Sequence, residues 1–302
     1  MKIKTPHIRF LELKWPFIAV SVLLIAMTGY LYFTKGLNYG IDFKGGLTML
    51  FQFSNQESVT ERKIDEVLRK AGKTNIVVQR FGKSEENTFV LRTEVENIDS
   101  NKLVEEVQNA FKQDLTLGTP TLLKNDFVGP KAGKELKRKG QFAMLIAWVV
   151  ILLYIGFRFD FYFAPGAIVA LIHDVLITVG VFAITGREVN LTVVSALLTI
   201  IGYSINDTIV IYDRIRENIA KHKTMTLEKV IDLSLNETLS RTLVTALTVF
   251  FVVLVLFLRA DGDIQDFALA MVVGTIVGSY SSLFIAAPIY LWCKKVFKKK
   301  AA

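Results

Sequence analysis

One cysteine, Cys293, is all that a chain of 302 residues contains, so no internal disulfide and no cysteine-based metal site can form. Histidines, cysteines and carboxylates do not gather at metal-ligand spacing. No glycine-rich phosphate loop and no Gly-x-Ser-x-Gly occurs, which removes the common zinc, nucleotide-binding and serine-nucleophile enzymes. Low-complexity tracts are missing too. The net charge of +8 is not interleaved with aromatics along a strand or helix, so it does not point to nucleic acid. The lysines and arginines flank apolar runs instead, where lipid and topology account for them. These absences lead us to expect no cofactor, no metal and no catalytic residue.

What the chain has in abundance is apolar surface: 52% of its residues are hydrophobic, 22 of them Phe. A helix rises about 1.5 Å per residue, so an apolar run of about 20 residues crosses a bilayer. Six runs qualify: Trp15 to Phe33, Gly140 to Phe157, Phe161 to Ile184, Val189 to Tyr212, Thr242 to Leu258 and Ile264 to Trp292. The first follows a basic start (Lys2, Lys4, Arg9, Lys14); it is longer than a signal core and no small-x-small site follows, so it reads as an uncleaved anchor. Lysine and arginine concentrate in the flanks on one side, including Arg158, Arg214, Arg216, Lys221, Lys223, Arg241 and the 293–302 tail. The other side's short loops hold Arg187 and Arg259. The positive-inside rule then puts both termini in the cytoplasm, with 34–139 outside.

Residues 34–139 read as a small α+β domain. Thr48 to Phe53 predicts a strand. Ser58-Val59-Thr60-Glu61 reads as a capping box opening a helix with Ile64, Val67, Leu68 and Ala71 on its apolar face and Gly72 at its end. Ile76 to Phe81 and Thr88 to Val95 predict two strands, Leu103, Val107, Ala110 and Phe111 mark a second helix, and Pro120 to Val128 a last strand. Strand, helix, strand, strand, helix, strand is the ferredoxin-like split pattern. Gly129 to Lys134 reads as a flexible link to the 140–292 five-helix region, and Asp213 to Arg241 as a cytoplasmic loop with some helix at Leu227 to Leu239.

The spans carry the chemistry. Asp207, beside Asn206 and Ser204, lies inside the fourth span, where insertion scales penalise a carboxylate by about 2.5–3.5 kcal/mol; such residues pair, line wet cavities or move protons. Arg241, leading into the fifth span, is either the matching cation or a snorkelling arginine. His173-Asp174, midway along the third, is either a relay or helix-to-helix hydrogen bonding. Ala270, Gly274, Gly278 and Ser282 recur every four residues along the sixth and form a packing stripe. Asp213, Arg214, Arg216 and Glu217 read as ion pairs at the membrane surface.

Three segments together resemble the SecD/SecF family of the bacterial Sec translocase, a branch of the RND superfamily. They are Gly40-Ile41-Asp42-Phe43-Lys44-Gly45-Gly46, Val128-Gly129-Pro130, and Gly202 to Val210 leading into Asp213 to Asn218. The resemblance covers essentially the whole chain. It implies half of an RND-type bundle in the bacterial inner membrane, working as a heterodimer with SecD beside the SecYEG channel, with YajC and YidC as further candidates. In such proteins ion flow through the spans is thought to drive exterior domains that pull preproteins outward. It also implies a proton-site carboxylate and arginine matching Asp207 and Arg241. Sodium stays open as the ion, since Asn206 and Ser204 offer oxygen. An autonomous small-molecule exporter would need both halves of the fold. An intramembrane aspartyl protease would need Gly-x-Gly-Asp inside a span. A purely structural subunit is the remaining alternative.

Overall fold

The computed structural model describes residues 8–54, 59–83, 86–94 and 100–300. Among them, six helices are long and apolar enough to cross a membrane. The first is α1 (Phe10–Thr34), followed by a single helical turn, α2 (Ile41–Lys44). The α+β domain comes next: β1 (Gly46–Phe53), α3 (Glu61–Lys70), β2 (Val77–Phe81), β3 (Thr88–Thr93), α4 (Ser100–Gln113) and β4 (Pro120–Val128). The sheet order is β2-β3-β1-β4, and every neighbouring pair is antiparallel. That is the ferredoxin-like arrangement. Leu47, Met49, Phe51 and Phe53 alternate along β1 onto one face. They are buried with Ile64 and Leu68 of α3 and Leu103, Val107 and Phe111 of α4. Phe111 meets Phe51 and Phe53 edge-on at 5.2 and 5.1 Å.

Three local expectations are corrected here. Helix α3 is capped by Thr60, whose hydroxyl accepts from the Lys63 N–H at 3.4 Å; Ser58 lies outside the described residues. Ala71 is the exposed C-cap, not part of the apolar face, and Gly72 takes the left-handed φ of 75° that ends the helix. The stretch after Gly129 is not a flexible link. Helix α5 (Pro130–Arg158) starts at once, with Pro130 in the first turn, where a missing N–H leaves nothing unsatisfied.

The other spans are α6 (Ala164–Thr185), α7 (Leu191–Lys221), α8 (Leu227–Arg259) and α9 (Gly262–Ser281), the last continuing through a π-turn at Ser282–Ala286 into α10 (Ala287–Lys300). Helices α7 and α8 run well past the expected span ends, so the Asp213 to Arg241 loop shrinks to the turn between Lys221 and Leu227. Ion pairs spaced three and four residues apart carry α7 onward: Asp213 with Arg216 at 2.7 Å, and Glu217 with Arg214 and Lys221 at 2.5 Å each. Arg214 also reaches Glu237 of α8 at 2.6 Å, tying the two extensions together. In their most apolar stretches, more than half of the residues of α6, α7 and α9–α10 are buried, against fewer than a fifth of those of α1, α5 and α8.

Candidate ion-coupling site

Two side chains start α7. Asn190 accepts the Val193 N–H at 2.9 Å, and Asp42 from the turn before β1 accepts the Leu191 N–H at 2.8 Å. The turn carrying Asp42 is held tightly. Phe43 is buried, and Gly45 and Gly46 have φ of 84° and 154°, conformations that favour glycine. A Cβ on Gly45 would lie 2.7 Å from Cα of Pro130, and one on Gly46 would lie 2.5 Å from the Thr93 carbonyl oxygen. Gly133, which the sequence reading placed in a linker, makes the same kind of close approach: its Cβ would stand 3.0 Å from the Gly45 nitrogen. The turn thus seats the domain: Gly45 against the start of α5, Gly46 against β3, and Asp42 against the start of α7.

Farther down α7, about 100° of rotation per residue sends neighbours to different faces. Ser204, Asp207 and Thr208 point inward and are buried; Asn206 is exposed. Asn206 therefore does not share a site with Asp207, and its amide is no ligand for an ion held inside. Ser204 is also committed elsewhere: its hydroxyl donates to Asp174 Oδ2 at 2.6 Å. Asp207 is 2% exposed, and among the described residues its Oδ2 has no hydrogen-bond partner. Arg241 sits on the exposed side of α8 and forms no ion pair with Asp207 in this structure. Thr242, next to Arg241, is buried, and its hydroxyl has no partner among the described residues.

Asp174 is the hub of a buried polar cluster. Its Oδ1 lies 2.9 Å from His173 Nδ1, and its Oδ2 accepts from Ser204 and, at 3.0 Å, from Ser281. His173 Nε2 lies 2.9 Å from the Ser21 hydroxyl and 3.0 Å from the Tyr280 hydroxyl. Ser21, Tyr280 and Ser281 were not singled out from the sequence. The available signal was the isolated serine inside the apolar run of α1. The small-residue stripe makes this closeness possible: a Cβ on Gly278 would stand 3.1 Å from Ser204 Cβ, and one on Gly274 would stand 2.3 Å from Ile200 Cδ1. Ala270 and Ser282 are buried on the same stripe, and Ser282 bonds Thr208 of α7 at 2.9 Å.

Where the domain meets the helix ends, Arg92 of β3 pairs with Glu188, between α6 and α7, at 2.9 Å. Burial pushes the Glu188 carboxyl above its ordinary range, with Arg92 pulling it back. A Cβ on Gly262 would touch Phe81 of β2 at 2.7 Å. Among the described residues no group of three or more His, Cys, Asp or Glu is placed to hold a metal ion.

The family model for the C-terminal region of the protein export membrane proteins SecD/SecF matches residues 107–296, and that for the SecD/SecF GG motif matches residues 32–57. The protein translocase subunit SecF of Thermodesulfovibrio yellowstonii is 40% identical over 290 residues, 94% of this chain and 94% of that protein. The protein translocase subunit SecDF of Brucella abortus is 38% identical over 287 residues, 94% of this chain but 37% of its own length. The crystal structure of SecDF from Thermus thermophilus superposes with a TM-score of 0.85 at 32% identity; the match covers 98% of this chain and 40% of that one.

Proposed function

The chain belongs to the SecD/SecF family of protein export membrane proteins, and on that premise we propose that it is an ion-driven accessory subunit of bacterial Sec export. It works in the inner membrane with both termini cytoplasmic and the α+β domain outside. SecD is its partner: relatives that fuse the two halves, such as the Brucella SecDF, support this pairing. SecYEG is the channel it serves, with YajC and YidC as further neighbours, and its role is the late, gradient-driven stage of preprotein translocation. No covalent chemistry is assigned to it.

The observation that carries the ion-driven part is Asp207, a buried carboxylate with an unpartnered oxygen on an inner helix. Moving one charge across 100 mV is worth about 2.3 kcal/mol, enough to bias two conformations if the charge state and the shape are coupled. Arg241 supplies that coupling when it swings from the exposed face of α8 to hold the ionised carboxylate, and it is released when Asp207 takes a proton. The test measures preprotein completion in membrane vesicles with and without a proton gradient. Asp207→Asn keeps size and hydrogen bonding but cannot titrate. It should still assemble with SecD, while the gradient-dependent stimulation drops to the no-gradient level. Arg241→Met should weaken the same step less completely. Retained stimulation in Asp207→Asn would leave a structural subunit as the better reading.

A further inference from the structure

The Asp207 mechanism makes no use of the bundle's other buried carboxylate. Asp174 is 0% exposed, and its neighbour His173 is 3% exposed. Both sit at mid-length of α6, where a charge is expensive. Among the described residues neither forms an ion pair with Lys or Arg. The groups facing them are Ser21 of α1, Tyr280 and Ser281 of α9, and Ser204 of α7. Asp207 follows Ser204 by three positions on α7, with Arg241 of α8 beyond it.

Helix-to-helix glue asks only for a donor and an acceptor, and serine or asparagine supplies both. Here a titratable ring is placed in series with a carboxylate. Ser21 and Tyr280 meet one ring nitrogen, the other meets Asp174 Oδ1, and Oδ2 passes on to Ser204 and Ser281. With the ring neutral and Nδ1–H donating to Asp174, the pair carries one negative charge, and Nε2 must accept a hydrogen bond from Ser21 or Tyr280. A proton added at Nε2, with the Nδ1 proton passing along its hydrogen bond to Asp174 Oδ1, leaves a neutral ring and a neutral carboxylic acid, and Nε2 becomes a donor. Whichever hydroxyl donated to Nε2, Ser21 or Tyr280, must then turn from donor to acceptor.

We propose that His173 and Asp174 bind a second proton, distinct from the one on Asp207, and that its arrival reverses the hydrogen-bond polarity between His173 of α6 and the facing hydroxyls, Ser21 of α1 and Tyr280 of α9. Only O–H and N–H bonds are made and broken, and the net change is one proton taken up. The consequence is mechanical as well as electrostatic. Helix α1 leads through residues 35–45 into β1, so the α1 contact is one route by which the bundle's charge state reaches the α+β domain. Ser204 joins this site to the helix that carries Asp207. The inference rests on the ion-driven reading of the family.

The test uses the full chain assembled with SecD in proteoliposomes. Infrared difference spectra are recorded between high and low pH, alongside the pH profile of gradient-driven preprotein completion. The wild type should show carboxylic-acid C=O bands for two buried groups. Asp207→Asn should remove one, and Asp174→Asn the other. His173→Gln keeps hydrogen bonding at that position and should still assemble, yet it should move the Asp174 band along the pH axis and shift the export profile with it. A wild-type difference spectrum lacking any band that Asp174→Asn or His173→Gln alters would overturn the proposal, as would a wild-type pH profile in His173→Gln. The spectra of the wild type and His173→Gln decide the question even if Asp174→Asn does not assemble. The two readings fail separately. An Asp207→Asn variant with full stimulation sinks the Asp207 assignment, whereas unchanged spectra and profile in His173→Gln sink only the second proton.

Discussion

The α+β domain and the helical bundle place their polar groups in opposite ways. In the domain, Leu47, Met49, Phe51, Ile64, Leu68 and Phe111 are sealed inside and the charged pairs lie on the surface. In the bundle, Ser21, His173, Asp174, Ser204, Asp207, Thr275 and Ser281 are inside, while Leu23, Phe142, Leu153, Phe251 and Val252 face outward. The domain is held by removing apolar surface from water, a term absent between helices in lipid. The bundle relies on close backbone approach and on hydrogen bonds that lipid cannot replace. The first region should therefore suffer most from lost volume, and the second from added volume.

That contrast can be broken experimentally. The largest effect should come from Phe111→Ala, which empties the centre of the domain core and should cost about 3–5 kcal/mol. Urea unfolding of an excised fragment, residues 36–129, measures it, and a non-cooperative transition in the unsubstituted fragment would refute the separate core. Next comes Gly278→Leu in the bundle. Its side chain has to displace Ser204 and crowd Asp174, so a loss of about 1–3 kcal/mol is expected in the thermal unfolding of the purified chain in detergent. Unchanged melting would mean that α7 and α9 are not packed as described. The smallest effect belongs to Glu188, at the seam between the regions. Its folded-state carboxyl titrates above its unfolded value, so the folded form binds the proton more tightly. Its contribution to stability therefore declines as pH rises from the ordinary glutamate range through the raised value. Glu188→Gln should flatten that slope, by an amount of order 1 kcal/mol or less, in melts compared across that window.

The two regions also differed in how much of them could be read in advance. In the domain, alternation along β1 and helical spacing at Ile64, Val67 and Leu68 specify burial directly, and the strand order followed. In the bundle, hydropathy located the spans but not their ends. Helices α7 and α8 outrun the apolar stretch on ion pairs such as Arg214–Glu237, which span two distant segments. After Gly129 the sequence is ambiguous because glycine signals both freedom and close packing, and only the contact between Gly133 and Gly45 separates the two. The buried cluster was half legible. His173 and Asp174 stand out in any apolar run, but the hydroxyls that surround them come from three other helices, and serine in a span has no marked signature of its own. Asn206 looked like a neighbour of Asp207 because it adjoins it in sequence, whereas the helix turns it to the other side.

The α+β domain begins and ends on adjacent strands, with Gly46 opposite Val128. Its two chain ends therefore leave the sheet at one place, and the whole domain occupies in the helical chain the footprint of a short loop. An insertion attached in this manner can lengthen, shorten or be exchanged for another fold with neighbouring ends, and the helices on either side keep their spacing.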